Sequence, residues 1–355
     1  MKNRIISFLL LAGILISCTG PRVGGTEIYI TDALGNEVGF SDLPDRIVIS
    51  GKQTPMLANF AYLFDRAPEK IIAIENRSQS SNAFLSLIDP GFVNKLTIEK
   101  GAGAEQISPS QPEAVILKTT MKELIGDQLD TIGIPSVYVS LETIDEIYRD
   151  IRIFGSLMDE PQKAENIIGF YNRSKESIDI MVSTVERSPR VLLLQIDQSE
   201  GSFAYKVPAG SWLQTVMVDE LHGDPVWKKD AGGGGWMEVN LEQIISWQPE
   251  VVIVINYQGK SQEIIQSLAK DSVWQEFLQN NSVDIKPFGY DFQSWDQPDP
   301  RWILGYVNLA HLLHPEAVDS DVVIDLVREF YMELYGLEPE FVDAEIIPLI
   351  LPQLG

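Results

Sequence analysis

The sequence contains few of the residues that cross-link a chain or hold metal ions. Its 355 residues include one cysteine, Cys18, and three histidines. A single cysteine excludes a disulfide within the chain, so the fold must be stabilised by packing alone. Sites for bare zinc or manganese gather several histidines and carboxylates, which this chain does not supply. We therefore predict no metal site and no cofactor, and we interpret His311 and His314, three apart on one predicted helix, as structural.

Positive charge is also scarce. Lys and Arg number 27 against 51 Asp and Glu, which gives a formal net charge of −24 at pH 7. Such a chain cannot neutralise a run of phosphates, so nucleic acid is excluded as a partner. An acidic surface suits solubility or a basic protein partner, and it is also common in proteins from salty habitats.

Sequence motifs of several enzyme classes are absent. There is no GxSxG, no GxxxxGK[ST] and no HExxH. These motifs place a nucleophile, a phosphate cradle or a zinc ion, respectively. The run AGGGGW (231–236) follows charged residues rather than a strand, so it does not fit a phosphate-binding loop. We interpret it as a flexible segment at the mouth of a cleft, and we predict that the protein is not an enzyme.

The N-terminus has an apolar run that is too short to cross a bilayer. Lys2 and Arg4 precede the twelve residues 5–16, and Ser17 and Cys18 follow. A membrane span needs about 20 apolar residues, whereas a secretory signal needs roughly 7 to 15. "LISC" resembles the lipobox of bacterial lipoproteins, in which the cysteine is lipidated. We predict a signal peptide (1–17), lipidation at Cys18, a tether (18–26) and an extracytoplasmic protein anchored to the cell membrane.

One segment occurs twice. AEQISPSQPEAVIL (104–117) and LEQIISWQPEVVIV (241–254) agree at eight of fourteen positions. Convergence is the alternative, because any helix that stops at a proline and leads into a buried strand needs a similar apolar pattern. Convergence does not require the repeated Glu, Gln and Glu, so the repeat favours a duplicated structural unit. The length also exceeds what one hydrophobic core usually organises, which indicates two lobes.

Short apolar runs alternate with helical patterns in both halves. The runs are nearly continuous in Val and Ile, which is typical of parallel strands covered on both faces. We predict an α/β fold of two Rossmann-like lobes with parallel sheets, over residues 27–142 and 188–355. A hairpin, IYITDALGNEV, opens the first lobe. The predicted strands lie at 46–50, 70–75, 113–117, 136–140, 190–196, 250–256 and 283–288.

The segment between the lobes, 143–187, is predicted to be helical. Thr143 and Glu146 form a capping-box pattern, and Pro161 fits the first turn of a restarted helix. A helical connection is stiffer than a Gly/Ser linker, so we expect a long, rigid interdomain helix and only a small hinge motion between the lobes.

The order of these motifs resembles the substrate-binding proteins of ABC importers for iron-siderophores, haem and corrinoids. The resemblance covers nearly the whole mature chain and depends on ITDALGNEV, LPDRIVIS, the repeated segment, PQKAENIIGFY and WDQPDPRWILGYVNLAHLLHPE. It implies a monomer that captures an iron chelate or a corrinoid between its lobes and delivers it to a permease dimer with its ATPase. A ligand-binding sensor without transport is the alternative, and a surface enzyme on an α/β scaffold is a weaker one.

The resemblance also implies that the first Glu of each repeat, Glu105 and Glu242, contacts basic residues of the permease. Pro109 departs from the family pattern and shortens the first of these helices. Both Glu residues start a helix that leads into a strand, which places them beside the carboxyl ends of the strands. A carboxylate in the first turn also stabilises a helix on its own account. That effect explains each Glu singly, but it does not explain their identical placement in two lobes.

Ligands of open α/β sheets bind outside the carboxyl ends of the strands. The segments that follow the predicted strands contain cations and several aromatic residues in Gly/Pro-rich stretches, which suit a large, flat, partly apolar chelate. Loop aromatics also anchor loops, and Trp247, within a helix, is interpreted as core. Lys118 follows one of these strands as well. The predicted ligand-binding residues are Lys52, Arg77, Tyr205, Trp212, Trp236, Tyr257, Tyr290, Trp295, Arg301 and Trp302.

Overall fold

The fold is taken from a computed structural model, which describes residues 27–76, 83–199 and 202–354. The predicted signal peptide, Cys18, the tether and Arg77 lie outside the described residues. The strands are β1 Ile28–Thr31, β2 Glu37–Phe40, β3 Ile47–Ile49, β4 Ile71–Glu75, β5 Leu96–Ile98, β6 Ala114–Lys118, β7 Ser136–Val139, β8 Arg190–Ser199, β9 Ser202–Val207, β10 Asp224–Pro225, β11 Met237–Val239, β12 Val251–Ile255 and β13 Asp284–Pro287.

Helices separate most of these strands. They are α1 Thr54–Ala61, α2 Ala67–Lys70, α3 Ala83–Ile88, α4 Ala104–Ile107, α5 Asp127–Thr131, α6 Ile144–Met158, α7 Pro161–Val182, α8 Leu213–Glu220, α9 Leu241–Trp247, α10 Ser261–Leu268, α11 Ser272–Asn281, α12 Trp302–Leu313, α13 Ser320–Tyr335, α14 Pro339–Phe341 and α15 Ile347–Ile350. No helix in the described ranges has both the length and the apolar character of a membrane span.

The first lobe contains a parallel sheet in the order β5-β4-β3-β6-β7, preceded by the predicted hairpin β1-β2. Its central strands are buried over their whole length, which explains why their Val/Ile runs were readable in the sequence. The edge strand β5 was not predicted. It has only three residues, two of them exposed, so it carries little apolar pattern.

The second lobe contains a mixed sheet in the order β11-β9-β8-β12-β13, with β10 beside β8. Strands β8, β12 and β13 are parallel, as expected, whereas β9 is antiparallel to both β8 and β11. The predicted α/β fold with two lobes is confirmed, and the sheet of this lobe is mixed because β9 adds antiparallel pairings to its parallel strands. Strand β9, SFAYKV, is only half-buried, so its composition was interpreted as a loop.

Two helices, α6 and α7, occupy most of the predicted connection. Thr143 caps α6 by accepting a hydrogen bond from the Glu146 amide at 3.3 Å. Asp159 then adopts a left-handed conformation (φ 60°), and α7 begins at Pro161. Tyr171 of α7 donates a hydrogen bond to the Pro300 carbonyl at 2.9 Å, which ties the connection to the second lobe. The stiffness of the pair stays a prediction.

The lobes also contact each other directly beside this connection. Asn59 of α1 donates a hydrogen bond to the buried Asp299 carboxylate. Phe84 of α3 packs against Phe292 and Tyr335, with ring centroids 5.4 and 4.8 Å apart. The main hydrophobic core is continuous through these contacts and includes residues of both lobes. The lobes are therefore joined along one side, and a cleft remains on the other.

The repeated segment has the same structure in both lobes. Gln106 and Gln243 each accept a hydrogen bond from the backbone amide that precedes their helix, at 3.0 and 3.1 Å. Glu113 accepts a hydrogen bond from the Arg46 amide at 3.1 Å, and Glu250 accepts one from the Arg190 amide at 3.2 Å. Each arginine lies at the start of the first strand of its lobe's sheet. These shared contacts support the predicted duplication and explain two of its repeated polar residues structurally.

Candidate functional site

A cleft between the lobes forms a cavity of about 250 Å³. The first lobe contributes residues after β3 and β7, and the second contributes residues after β12, around α8 and in the segment before α12. The cleft thus lies outside the carboxyl ends of parallel strands, where open α/β sheets bind ligands. Its lining residues are Gln53, Met56, Glu142, Trp212, Leu213, Gln214, Trp236, Tyr257, Gln297 and Pro298.

Three of the predicted residues meet on the second-lobe wall. Trp212 precedes α8, Trp236 precedes β11 and Tyr257 follows β12, so distant segments bring them together. The Trp236 ring lies 5.7 Å from Trp212 and 6.1 Å from Tyr257, both edge to face. Half-buried aromatic surface of this kind can pack on a flat or partly apolar ligand. Ligand contact itself stays a prediction.

A buried carboxylate supports this wall from behind. Asp296 has no exposed surface, and it accepts hydrogen bonds from Tyr257 Oη (3.1 Å), Gln214 Nε2 (3.2 Å) and Ser294 Oγ (2.5 Å). Burial raises the pKa of the Asp296 carboxyl, and the three donors oppose that rise. Burial and the neighbouring Asp296 raise the pKa of Tyr257. Two lining side chains are thus held in fixed orientations.

The first-lobe wall has an ion pair at its edge. Lys118, at the end of β6, is buried and lies 2.7 Å from the Glu142 carboxylate, while Glu142 keeps 43% of its side chain exposed. Lys118 also donates to the Ser140 carbonyl. Burial lowers the pKa of Lys118, and the charge of Glu142 opposes that shift. The lysine is therefore engaged within the protein.

The loop after β3 contains the predicted ligand residue Lys52 and its neighbour Gln53. Lys52 is exposed and does not line the cavity, whereas the next residue, Gln53, does. Gln53 has a left-handed backbone (φ 57°), and its buried Oε1 accepts no hydrogen bond. A non-glycine residue in this region is mildly strained, a condition often found at ligand sites. Nothing in the amino-acid sequence predicts this conformation.

Three predicted ligand residues lie in the interior instead. Trp295, Arg301 and Trp302 have no exposed surface. The Arg301 guanidinium lies 3.1 Å from Asp291 and 2.9 Å from Asp299, and both carboxylates are buried. Arg301 stacks over Phe84 of the first lobe at 4.3 Å, and the Trp302 ring lies 5.3 Å from that of Tyr171. These three predicted residues are therefore corrected to interior positions, because none of them lines the cleft.

Two further predicted residues do not line the cleft. Tyr205 is in strand β9, not in a loop, and its hydroxyl accepts a hydrogen bond from Trp274 Nε1 at 2.8 Å. Tyr290 packs closely over Gly259, and its carbonyl accepts a hydrogen bond from Gln353 at 2.7 Å.

The other lining residues were not predicted, because Met, Leu, Gln and Pro carry no ligand-specific signal in the sequence. Glu142, Gln214 and Gln297 do lie within a few residues of motifs the sequence singled out.

The two predicted docking residues occupy equivalent positions. Glu105 is the second residue of α4 and Glu242 the second residue of α9. Both are exposed, and within the described ranges neither carboxylate has a hydrogen bond or ion pair. Their carboxylates thus have no partner in the described part of the chain that would explain the repeat.

The histidines interact with backbone carbonyls. His311 lies 2.8 Å from the Val318 oxygen and 3.0 Å from the Leu354 oxygen, and His314 lies 2.7 Å from the Leu221 oxygen. Over residues 27–76, 83–199 and 202–354, no group of three or more His, Cys, Asp or Glu side chains is arranged to hold a metal ion.

Comparison with known proteins gives a consistent family assignment. The family model described as periplasmic binding protein matches residues 94–285, which is more than half of the chain. The molybdate-binding protein MolA of Haemophilus influenzae is 22% identical, over 94% of this chain and 96% of its own. A vitamin B12-binding protein of Vibrio parahaemolyticus is 21% identical over 70% of this chain and 83% of its own. A periplasmic solute-binding protein of Veillonella parvula has a similar fold, with a TM-score of 0.74, 20% identity, and coverage of 92% of this chain and all of that one.

Proposed function

We propose a function from one premise: this chain belongs to the family of periplasmic binding proteins, which capture a solute outside the cytoplasm for an ABC importer. Our proposal is that it binds an iron chelate (a ferric siderophore or haem) or a corrinoid in the cleft and delivers it to the permease. The observation that carries the proposal is the aromatic group formed by Trp212, Trp236 and Tyr257.

The composition of the cleft supports a chelate rather than a sugar or an amino acid. Three aromatic rings, Met56, Leu213 and Pro298 provide apolar surface, and three glutamine amides provide polar groups. Ligand pockets of this kind bury a large apolar area and orient the ligand with a few polar contacts. The similarity to a vitamin B12-binding protein is consistent with such a cargo.

A small oxyanion is the second candidate, because one relative, which matches over 94% of this chain, is a molybdate-binding protein. Oxyanion sites use several N–H donors or cations. In the described part of the cleft lining there is no Lys, Arg or His. We therefore rank molybdate below the chelates.

We further propose that Glu105 and Glu242 dock the protein on the two permease subunits. Each is exposed on one lobe, at the same place in the duplicated unit, and neither carboxylate has a partner within the described residues. One acidic contact per lobe matches a partner with approximate two-fold symmetry. The net charge of −24 would steer the approach to a basic surface.

Lipid anchoring through Cys18 and a monomeric state complete the proposal. A sensor that binds the same ligand without transport would have an identical cleft, so uptake measurements, rather than binding, distinguish it from an importer component.

The test of the proposal is ligand binding by the purified mature protein. Absorbance and native mass spectrometry would detect a chromophore that co-purifies, and titration with ferric siderophores, haem, cobalamin and molybdate would follow tryptophan fluorescence. A bound chelate should quench the fluorescence of Trp212 and Trp236. At about 100 times its dissociation constant it should raise the free energy of unfolding by about 2.7 kcal/mol. Binding of molybdate, a sugar or an amino acid with no response to any chelate would contradict the proposal.

A further inference from the structure

The cleft has an uneven distribution of charge. Among its described lining residues Glu142 is the one acid, and no Lys, Arg or His is present. Lys118, the cation that contacts Glu142, is buried and lies 2.7 Å from its carboxylate. Within the described lining, a ligand would therefore meet the exposed part of the Glu142 carboxylate, whose charge Lys118 partly offsets, and no unpaired Lys, Arg or His.

A second carboxylate lies directly behind the opposite wall. Asp296 is fully buried, and no Lys, Arg or His of the described chain forms an ion pair with it. Glu142 also lines a neighbouring cavity together with Asp145, Glu220 and Lys175, and Lys175 is 3.1 Å from Glu220. Among the described residues that line these two cavities or contact their walls, acids therefore outnumber bases.

Hydrogen bonding adds to this bias. Asp296 takes up the hydroxyl hydrogen of Tyr257 and an amide hydrogen of Gln214, so these two side chains offer mainly oxygen acceptors to the cleft. Gln53 Oε1 is a buried acceptor with no donor. An N–H or O–H group of a ligand would satisfy these oxygens, whereas a ligand anion would be desolvated without a positive partner.

We infer that the cleft selects its cargo by charge: it takes a flat, neutral or cationic chelate that carries hydrogen-bond donors, and it discriminates against anionic chelates and small oxyanions. Glu142 is the specificity-determining residue, and Asp296 is a positioning residue that acts through Tyr257 and Gln214. The aromatic faces favour the same choice, because the negative face of a ring quadrupole attracts cations. This inference rests on the proposed function and narrows its substrate class.

The test compares affinities of the mature protein for probes of different charge. The probes are cyanocobalamin, a monocationic ferric hydroxamate, a trianionic ferric tris-catecholate and molybdate. We expect cyanocobalamin or the hydroxamate to bind at least tenfold more tightly than either anion. The Glu142→Gln variant should reduce that preference about tenfold, since one interaction between unit charges in a partly exposed site is of that order. The control is Glu276→Gln, which removes the same charge from an exposed position on α11 that does not line the cleft.

Asp296→Asn provides an independent variant at a pH where Asp296 is ionised, because asparagine keeps the shape and an acceptor oxygen but has no charge. It should also reduce the preference for the cation, whereas a purely structural change would weaken all probes alike. The inference would be overturned if the tris-catecholate or molybdate bound more tightly than the neutral and cationic probes, or if Glu142→Gln left the preference unchanged. Binding of any chelate would still uphold the proposed function. Failure of every chelate and corrinoid to bind would overturn both.

Discussion

Arg46 and Arg190 make the same pair of contacts in the two lobes. Arg46 Nε donates to the Gln111 carbonyl and Arg190 Nε to the Gln248 carbonyl, both at 2.9 Å. The two glutamines are the first residue of the repeated Gln-Pro-Glu. A terminal guanidinium nitrogen donates to the carbonyl one residue earlier. Both glutamines have left-handed backbones, with φ of 51° and 50°. One arginine per lobe therefore stabilises the turn between the repeated helix and its strand.

Removal of either arginine should destabilise the protein. Hydrogen bonds to charged groups contribute about 1.5–3 kcal/mol, and because these are largely exposed we expect Arg46→Met and Arg190→Met each to lower the free energy of unfolding by about 1 kcal/mol. The two losses should add, since the sites share no partner. Urea unfolding measures them. The control is Arg173→Met, which removes an exposed pair with Glu333, and losses no larger than in that control would contradict the prediction.

The docking proposal predicts a separation of binding from transport. Glu105→Lys and Glu242→Lys should leave ligand affinity unchanged, because neither residue lines the cleft. Uptake by cells should fall in each and fall furthest in the double variant, because each replaces an attraction with a like-charge repulsion. Glu276→Lys, an exposed charge reversal elsewhere, is the control. Normal uptake in the double variant would show that the two carboxylates serve only the helix ends.

The aromatic wall predicts which tryptophans carry ligand affinity. Trp212→Ala and Trp236→Ala should each weaken binding of the cognate chelate by at least tenfold, because each removes a large packing surface from the cleft. Tyr29→Ala is the matched control: Tyr29 is an exposed aromatic on β1 that does not line the cleft. Fluorescence titration measures the dissociation constants. If the control lost as much affinity as the tryptophan variants, the effect would be one of general stability.

The sequence predicted the fold better than the site, for a physical reason. Buried parallel strands such as β6 and β12 need continuous apolar runs, and these are visible in one dimension. Whether a loop aromatic faces the cleft or the core depends on tertiary packing. Trp212 and Trp295 are both predicted to bind ligand because they are aromatic residues in Gly/Pro-rich stretches. Trp212 lines the cleft, whereas Trp295 is fully buried. Gln53 depends on a backbone conformation that its residue type does not encode.

The contacts between the lobes predict a small motion on ligand binding. Asn59 bonds to Asp299, and Phe84 packs among aromatic rings of the other lobe, so opening the hinge would expose both. Small-angle scattering with and without ligand should therefore show little change in the radius of gyration. Phe84→Ala should loosen the junction and enlarge the difference. A large closure in the wild-type protein, as in flexibly hinged binding proteins, would contradict this prediction.

The buried carboxyl behind the cleft predicts a pH-dependent stability difference. Burial raises the pKa of Asp296 above its ordinary value of 3.8, so the folded state keeps this proton to higher pH than the unfolded chain does. Stability contributed by this group therefore falls as pH rises through that window. Asparagine does not titrate, so the free energy of unfolding of Asp296→Asn relative to wild type should rise as the pH increases above 3.8, the ordinary pKa of the aspartate carboxyl. Urea unfolding across that range measures it, with Asp42→Asn, an exposed acid without an ion pair in the described chain, as the control. If the difference in the free energy of unfolding between Asp296→Asn and wild type stayed constant or fell as the pH rose, burial would not disfavour the charged form of Asp296, and the prediction would be wrong.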